Sequence, residues 1–486
     1  MRIIKVAMSM QLCIAALSLL SFSVHAQGNL TYQLRYATPG DNTVHITLLL
    51  AEPVATPVSL VMPRTYPGGY EQIPYDAYVE GVRAFSADER PLAVEQEPDG
   101  PRWTVGRKAG RVARIEYEVN LARMEDRTVS SVETSKVRPE YVGLLGYSIF
   151  GFIDGFEDRP IHLRIAAPPA WPVVTTLAPQ VPAPAAKAEA IAPNYYALAD
   201  SEILMGPRLQ LRKFPGRIPL IMAVYAETNE DFDLEGQLAR QALDRVQSYF
   251  ADAPFPQYTV QLELLRPAKD HDYGFSQEHL DSGTFSLSVD RAITAQSSQQ
   301  DRDVNLFNYA HHMAHSWIPK RAYGPGYLPF TWEMTPVLDT IWFNEGFGRY
   351  AAIAALAAAM PPREAAAFRA RQLFHLRQTV ETAPPLIRNM PLDVLSREAS
   401  FLYASDFRTG MNIFSRGALM AADMDDRIRE KTAGKKSLRD ALQALLVWCE
   451  KNHRAFETKE MLEVIFASTG VDVSDILQRW SKPLAP

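Results

Sequence analysis

The hydrophobic pattern changes period near residue 215, and that change limits the folds open to this 486-residue chain. From residue 29 to about 200, apolar and polar residues alternate over strand-length runs, as in LTYQLRYA, TVHITLLLA and ARIEYEVNLA. Successive side chains of a strand point to opposite faces, so this alternation marks half-buried strands. Gly and Pro clusters such as PRTYPGGYEQIP punctuate the runs, and the whole reads as a β-sandwich-like domain. APQVPAPAAKAEAIAPN (178–194) is rich in Pro and Ala and reads as a linker or a long surface loop. Beyond 215 the elements mix. IPLIMAVYAE and YTVQLELL (258–265) are predicted strands. Residues 233–251 have helical period, with Leu234, Leu238, Ala242, Val246 and Tyr249 on one face. Residues 301–319 are a predicted helix that Asp301 or Asp303 can cap and Pro319 stops. Ala-rich 344–360 is another, and the period stays helical from there to the end.

The predicted organisation is therefore multidomain α+β: an all-β region over 27–200, a mixed region over 201–360, and a helical region over 361–486. With 47% hydrophobic residues, a core of ordinary size needs no metal or disulfide staple. A formal charge of −6 and the lack of a strongly basic block argue against nucleic acid as a partner.

Residues 1–26 read as a signal peptide. Arg2 and Lys5 precede the apolar run LCIAALSLLSF, and Val24 and Ala26 suit a cut after Ala26. An uncleaved anchor is the alternative, although the run is short for a span, and no stable membrane insertion is expected after cleavage. Cys13 would leave with the leader. Cys449 would then be alone, so no intrachain disulfide could form. Export without disulfides fits a bacterial periplasm at least as well as a eukaryotic exterior.

The chemistry centres on YAHHMAHSW (309–317). His311 and His315 lie one helical turn apart, so both imidazoles face one way and can chelate one ion. The spacing alone is a weak signal. WFNEGFGRY downstream places Glu345 at the start of the next helix. Two histidines on one helix and a carboxylate on the following one make the His₂Glu set of a catalytic zinc. The chain has no glycine-rich phosphate loop and no Gly-x-Ser-x-Gly elbow. GKKSLRDAL (434–442) reads as a helix start, and YVGLLGYSIFGF (141–152) as core.

Several collinear segments resemble the glycyl aminopeptidase family of gluzincin (thermolysin-like) zinc metallopeptidases. They are MPRTYPGGYEQIPYDAYVEGVRAF (62–85), YGFSQEHLDSGTFSL (273–287), HHMAHSWIPKR, WFNEGFGRY and NIFSRGALMAADMDDRIREKTAGKKSLRDAL (412–442). The resemblance implies a thermolysin-like catalytic-type domain over 201–360. It implies one zinc ion on His311, His315 and Glu345, and Glu278 as the group that binds a substrate's free α-amine. Peptides or protein N-termini would be the partners. Three departures stand out. His312 replaces the family's general-base Glu. Asn412 to Gly417 reads NIFSRG where the family has two tyrosines, one of them an oxyanion donor, and Tyr403 is near in sequence. No PDZ domain is expected at the C-terminus.

A carboxylate starts negative beside a metal cation and becomes neutral on taking a proton, whereas an imidazole would become positive, so His312 makes a poor base there. It could instead lean in and close the zinc site, or hydrogen-bond to the cleft wall. Three functions remain open: a zinc aminopeptidase with another base, a non-catalytic peptide-binding pseudopeptidase, and a structural scaffold.

Overall fold

A computed structural model describes residues 30–483, apart from 108–109, 129–132, 179–186, 268–272 and 404–405. The predicted leader and Cys13 lie outside the described residues. The N-terminal layer is built on a seven-stranded sheet in the order Lys187–Ala192, Ile161–Ala166, Leu30–Arg35, Thr43–Ala55, Arg111–Asn120, Val79–Phe85, Pro91–Leu92. Every pairing is antiparallel except Leu30–Arg35 with Ile161–Ala166. The strand Leu30–Arg35 alternates buried and half-exposed residues, as its sequence dictates, and Tyr32 and Leu34 go to the core. Two four-stranded sheets complete the layer. One contains Tyr141–Leu145 and Glu202–Met205, so β structure of this layer runs to Met205. The Pro/Ala-rich stretch is not all loop: Lys187–Ala192 is an edge strand of the large sheet. Its composition hid an alternation in which Ala190 and Ala192 are the buried residues. Residues 141–152 are buried throughout, as predicted.

The central region has a five-stranded sheet in the order Gln210–Phe214, Leu220–Ala226, Tyr258–Leu265, Ser282–Ser288, Gly274–Glu278. The middle three strands are parallel and buried on both faces, and the outer two are antiparallel to their neighbours. Helix Phe232–Phe250 packs against helix Gln299–His315, hereafter the histidine helix. The histidine helix starts two residues before the predicted 301 and ends four residues before 319. Its N-cap is Ser298, not Asp301 or Asp303. Asp301 sits at N3 and reaches back in a capping box. Glu235 accepts from Tyr309 Oη at 2.9 Å and ties the two helices together.

Beyond the histidine helix, Trp342–Phe347 forms a wide turn of π geometry that runs into helix Gly348–Ala358. The remainder is helical, as predicted, from Pro362–Thr382 through Phe407–Lys431 to Ser474–Ser481. Ser437 caps Leu438–Asn452 with Asp440, so GKKSLRDAL is a helix start. Helix Phe407–Lys431 crosses the wide turn at Gly346 and Gly417, where a Cβ on Gly417 would lie 2.0 Å from the Trp342 carbonyl oxygen. Only glycine permits that approach, and it presses a long helix directly onto the segment that carries Glu345. Cys449 is buried and unbridged. No helix among the described residues is long and apolar enough to cross a membrane.

Candidate metal centre and peptide cleft

The histidine helix presents His311 and His315 on one face, and the wide turn brings Glu345 to them. His311 Nε2 and His315 Nε2 are 3.4 Å apart. Glu345 Oε2 lies 3.4 Å from His315 Nε2 and 3.9 Å from His311 Nε2. Zinc bonds of 2.0–2.1 Å in a tetrahedron place ligand atoms about 3.3 Å apart. The trio therefore fits a tetrahedral ion with little movement. All three residues are buried.

Neighbouring groups orient these three side chains. His315 Nδ1 donates to the Ile318 carbonyl at 2.8 Å, which leaves Nε2 as the ring nitrogen turned towards His311 and Glu345. Tyr70 Oη donates to Glu345 Oε1 at 2.6 Å and leaves Oε2 to face the histidines. Tyr70 comes from the N-terminal layer, so both halves of the molecule build the site. Burial raises the Tyr70 phenol well above its ordinary pKa, with Glu345 and Glu278 adding to the effect, so it stays a donor.

Glu278 ends the outermost strand of the five-stranded sheet and is buried. Burial alone would raise its carboxyl, but His315, His312 and Lys320 outweigh that and hold it at about 2. Gly68 sits against it with φ +95°, and a Cβ there would lie 2.4 Å from Glu278 Oε1. His312 points to the Glu278 side of the helix, with Nδ1 3.7 Å from Glu278 Oε2 and its ring edge-on to Phe285 at 5.5 Å. Burial lowers the His312 pKa and Glu278 only partly offsets this, so His312 is neutral beside an ionised carboxylate. Burial, followed by His315, His312 and Arg349, pushes His311 well below its usual value. Burial would also lower His315, but Glu345 and Glu278 bring it up to about 9. The structure thus gathers all five residues singled out in the sequence at one place.

Four of them, Glu278, His311, His312 and Glu345, line a cavity of about 220 Å³ together with Tyr70, Arg349, Tyr403 and Phe414, and His315 lies buried behind it. Tyr403 does reach the site: its ring stacks on Phe414 at 5.4 Å and meets Tyr70 edge-on at 5.8 Å. Arg349 lies 5.5 Å from the Phe307 ring centroid, and burial lowers its pKa. Sequence reasoning did not single out Tyr70 or Arg349. Tyr70 lies within the segment PRTYPGGYEQIP, but its partner is 275 residues away. Behind the wall, Asp200 accepts from Leu280 N at 2.8 Å and from Lys320 Nζ at 3.3 Å, and contacts His279 Nδ1 at 3.1 Å. This buried network fixes the strand end at Glu278 relative to the end of the histidine helix.

Comparison with known proteins places this fold among those of zinc aminopeptidases. Residues 31–207 match the family described as the peptidase M61 N-terminal domain. An aminopeptidase N family protein from Idiomarina loihiensis is similar in structure, with a TM-score of 0.80 at 20% identity, covering 94% of this chain and 76% of that one. An M1 zinc metallopeptidase from Deinococcus radiodurans is similar at 0.52 and 15% identity, covering 94% of each chain. Native yeast LTA4 hydrolase gives 0.52 at 14% identity, covering 94% of this chain and 68% of that one. These likenesses establish an M1-like aminopeptidase architecture. Comparison with curated protein sequences gives no match.

Proposed function

We propose that this chain is an exported zinc-binding protein of the glycyl aminopeptidase type that holds peptide N-termini and hydrolyses them weakly or not at all. His312 carries this reading: a buried, neutral imidazole stands where the resemblance expects the general-base carboxylate. A zinc ion on His311, His315 and Glu345 would polarise a peptide carbonyl and lower the pKa of a water.

Peptide binding and proton transfer fall to the chain's own residues. Glu278, ionised in the cavity wall, is placed to accept hydrogen bonds from the ammonium group of a peptide N-terminus. Tyr70 holds Glu345 in its ligand orientation. His312 would have to become positive next to a cation to take a proton, which opposes its use as a base. Losing a general base costs about 10²- to 10⁴-fold in rate, or about 3–5 kcal/mol of barrier. A variant of the Deinococcus radiodurans relative is described with a Tyr-Ser-Ala substrate bound, which supports short peptides as the ligand class. The predicted leader and the lone remaining cysteine support a periplasmic or secreted location.

The 3.7 Å approach of His312 to Glu278 favours a second reading, in which the two act together as the base of a working aminopeptidase. Hydrolysis of glycyl and alanyl anilides by the zinc-loaded protein, beside His312→Glu, separates the two. Silence in the wild type with turnover in the variant supports the binding reading. Chelator-sensitive turnover by the wild type overturns it and favours the pair.

A further inference from the structure

We propose that the chain carries a second divalent-metal position, formed by Glu278, His312 and His315, which shares His315 with the first and excludes it. The donor atoms of these three residues lie within 4.8 Å of one another. They repeat the donor set of the first position, two imidazole nitrogens and one carboxylate oxygen, next to it, on the Glu278 side of the same helix. That set suits Zn²⁺ and its borderline neighbours Co²⁺ and Ni²⁺.

Two observations point to a ligand here. His312 Nδ1 and Glu278 Oε1 are both buried with no hydrogen-bond partner. Leaving such groups unsatisfied costs about 1–3 kcal/mol each. Their mutual approach, 3.7 Å from His312 Nδ1 to Glu278 Oε2, is too long for a hydrogen bond but leaves room for an ion drawn between them and His315. The position exists because His312 is not a carboxylate. With glutamate there, the donor set would change to two carboxylates and one imidazole, which favours harder cations.

Exclusion follows from His315. Its Nδ1 is committed to the Ile318 carbonyl, so Nε2 is its one free donor and serves one ion at a time. The first trio has donor separations of 3.4, 3.4 and 3.9 Å and is preformed. In the second, His312 Nδ1 and Glu278 Oε2 stand 3.7 Å apart and must close slightly to bind, and we rank it second in affinity. An ion there occupies Glu278. If Glu278 binds peptide amines as proposed above, peptide and second-position ion compete, and a free N-terminus drives the ion to the first position.

The test uses the metal alone as probe, so its outcome does not depend on peptide binding or activity. Zn²⁺ affinity is measured by competition with a chromophoric chelator, and Co²⁺ coordination by visible absorption. His311→Ala removes a ligand of the first position only, and it is compared with His311→Ala/His312→Ala and His311→Ala/Glu278→Gln after far-UV circular dichroism shows that each is folded. If His311→Ala does not fold, Glu345→Gln serves as the background. The wild type is expected to bind one ion per chain. The single variant keeps one ion with reduced affinity, and each double variant loses at least about tenfold more. Equal affinity in single and double variants, loss of all binding in the single variant, or two ions per wild-type chain overturns the proposal.

Discussion

Replacing Tyr70 with Phe deletes one oxygen atom and leaves the packing in place. The ring keeps its edge contact with Tyr403, and Glu345 Oε1 loses the donor that holds it at 2.6 Å. Glu345 is 3% exposed, so little water can take the hydroxyl's place. A hydrogen bond to a charged group is worth about 1.5–3 kcal/mol net. The part that matters for metal is orientation, since Oε2 faces the histidines only while Oε1 is gripped. Outer partners of this kind are typically worth about 10- to 100-fold in metal affinity, or about 1.4–2.7 kcal/mol. Chelator competition at neutral pH is expected to show zinc binding weakened by that factor in Tyr70→Phe. Urea unfolding of the metal-free proteins gives the change in fold stability separately. Unchanged zinc affinity would refute the claim that this hydroxyl orients the ligand.

Glu235 gives a pH dependence. Burial raises its carboxyl to about 7, and the bonds from Tyr309 and Ile293 N only partly offset this. Because the folded pKa exceeds the ordinary 4.5, its contribution is complete below 4.5 and is lost as pH rises towards 7. At about 1.4 kcal/mol per pH unit the window holds about 3 kcal/mol, so Glu235→Gln should flatten urea midpoints between those pH values. Equal slopes for the two proteins would count against it. Zinc at about a hundredfold excess over its Kd should stabilise the fold by about 2.7 kcal/mol, seen as a higher melting temperature that chelator reverses and that is smaller in His315→Ala. Gly417→Ala should lower the urea midpoint by the equivalent of about 3 kcal/mol and weaken zinc binding as well, because the new Cβ strikes the backbone of the turn that carries Glu345. Gly68→Ala should leave zinc affinity intact and weaken binding of peptides with a free amine, measured by calorimetry, because it displaces Glu278.

Local periodicity carries the reading of the sequence furthest. The strand Tyr258–Leu265 falls on its predicted residues, and the helix predicted over 233–251 is displaced by one. The pair His311 and His315 is legible because spacing on a helix converts directly into a shared face. Contacts across long separations are not. Tyr70 on Glu345, Gly346 against Gly417 and Asp200 under Lys320 join residues that no period relates. The strand Lys187–Ala192 is obscured because its buried positions are alanines, which carry little hydrophobic signal. The cap of the histidine helix departs from expectation because Asp301 serves Ser298 from inside the first turn.

The strand Gly274–Glu278 is the last in its sheet, and all five of its residues line the cavity. An outermost strand offers main-chain N–H and C=O groups on its free side, and an extended peptide can add there as a further strand. Such zippering recognises any backbone whatever its side chains. Discrimination among peptides would then fall to the end that abuts Glu278, where the strand stops and the charge begins. A cleft built this way would sort chains by how they start rather than by what they spell.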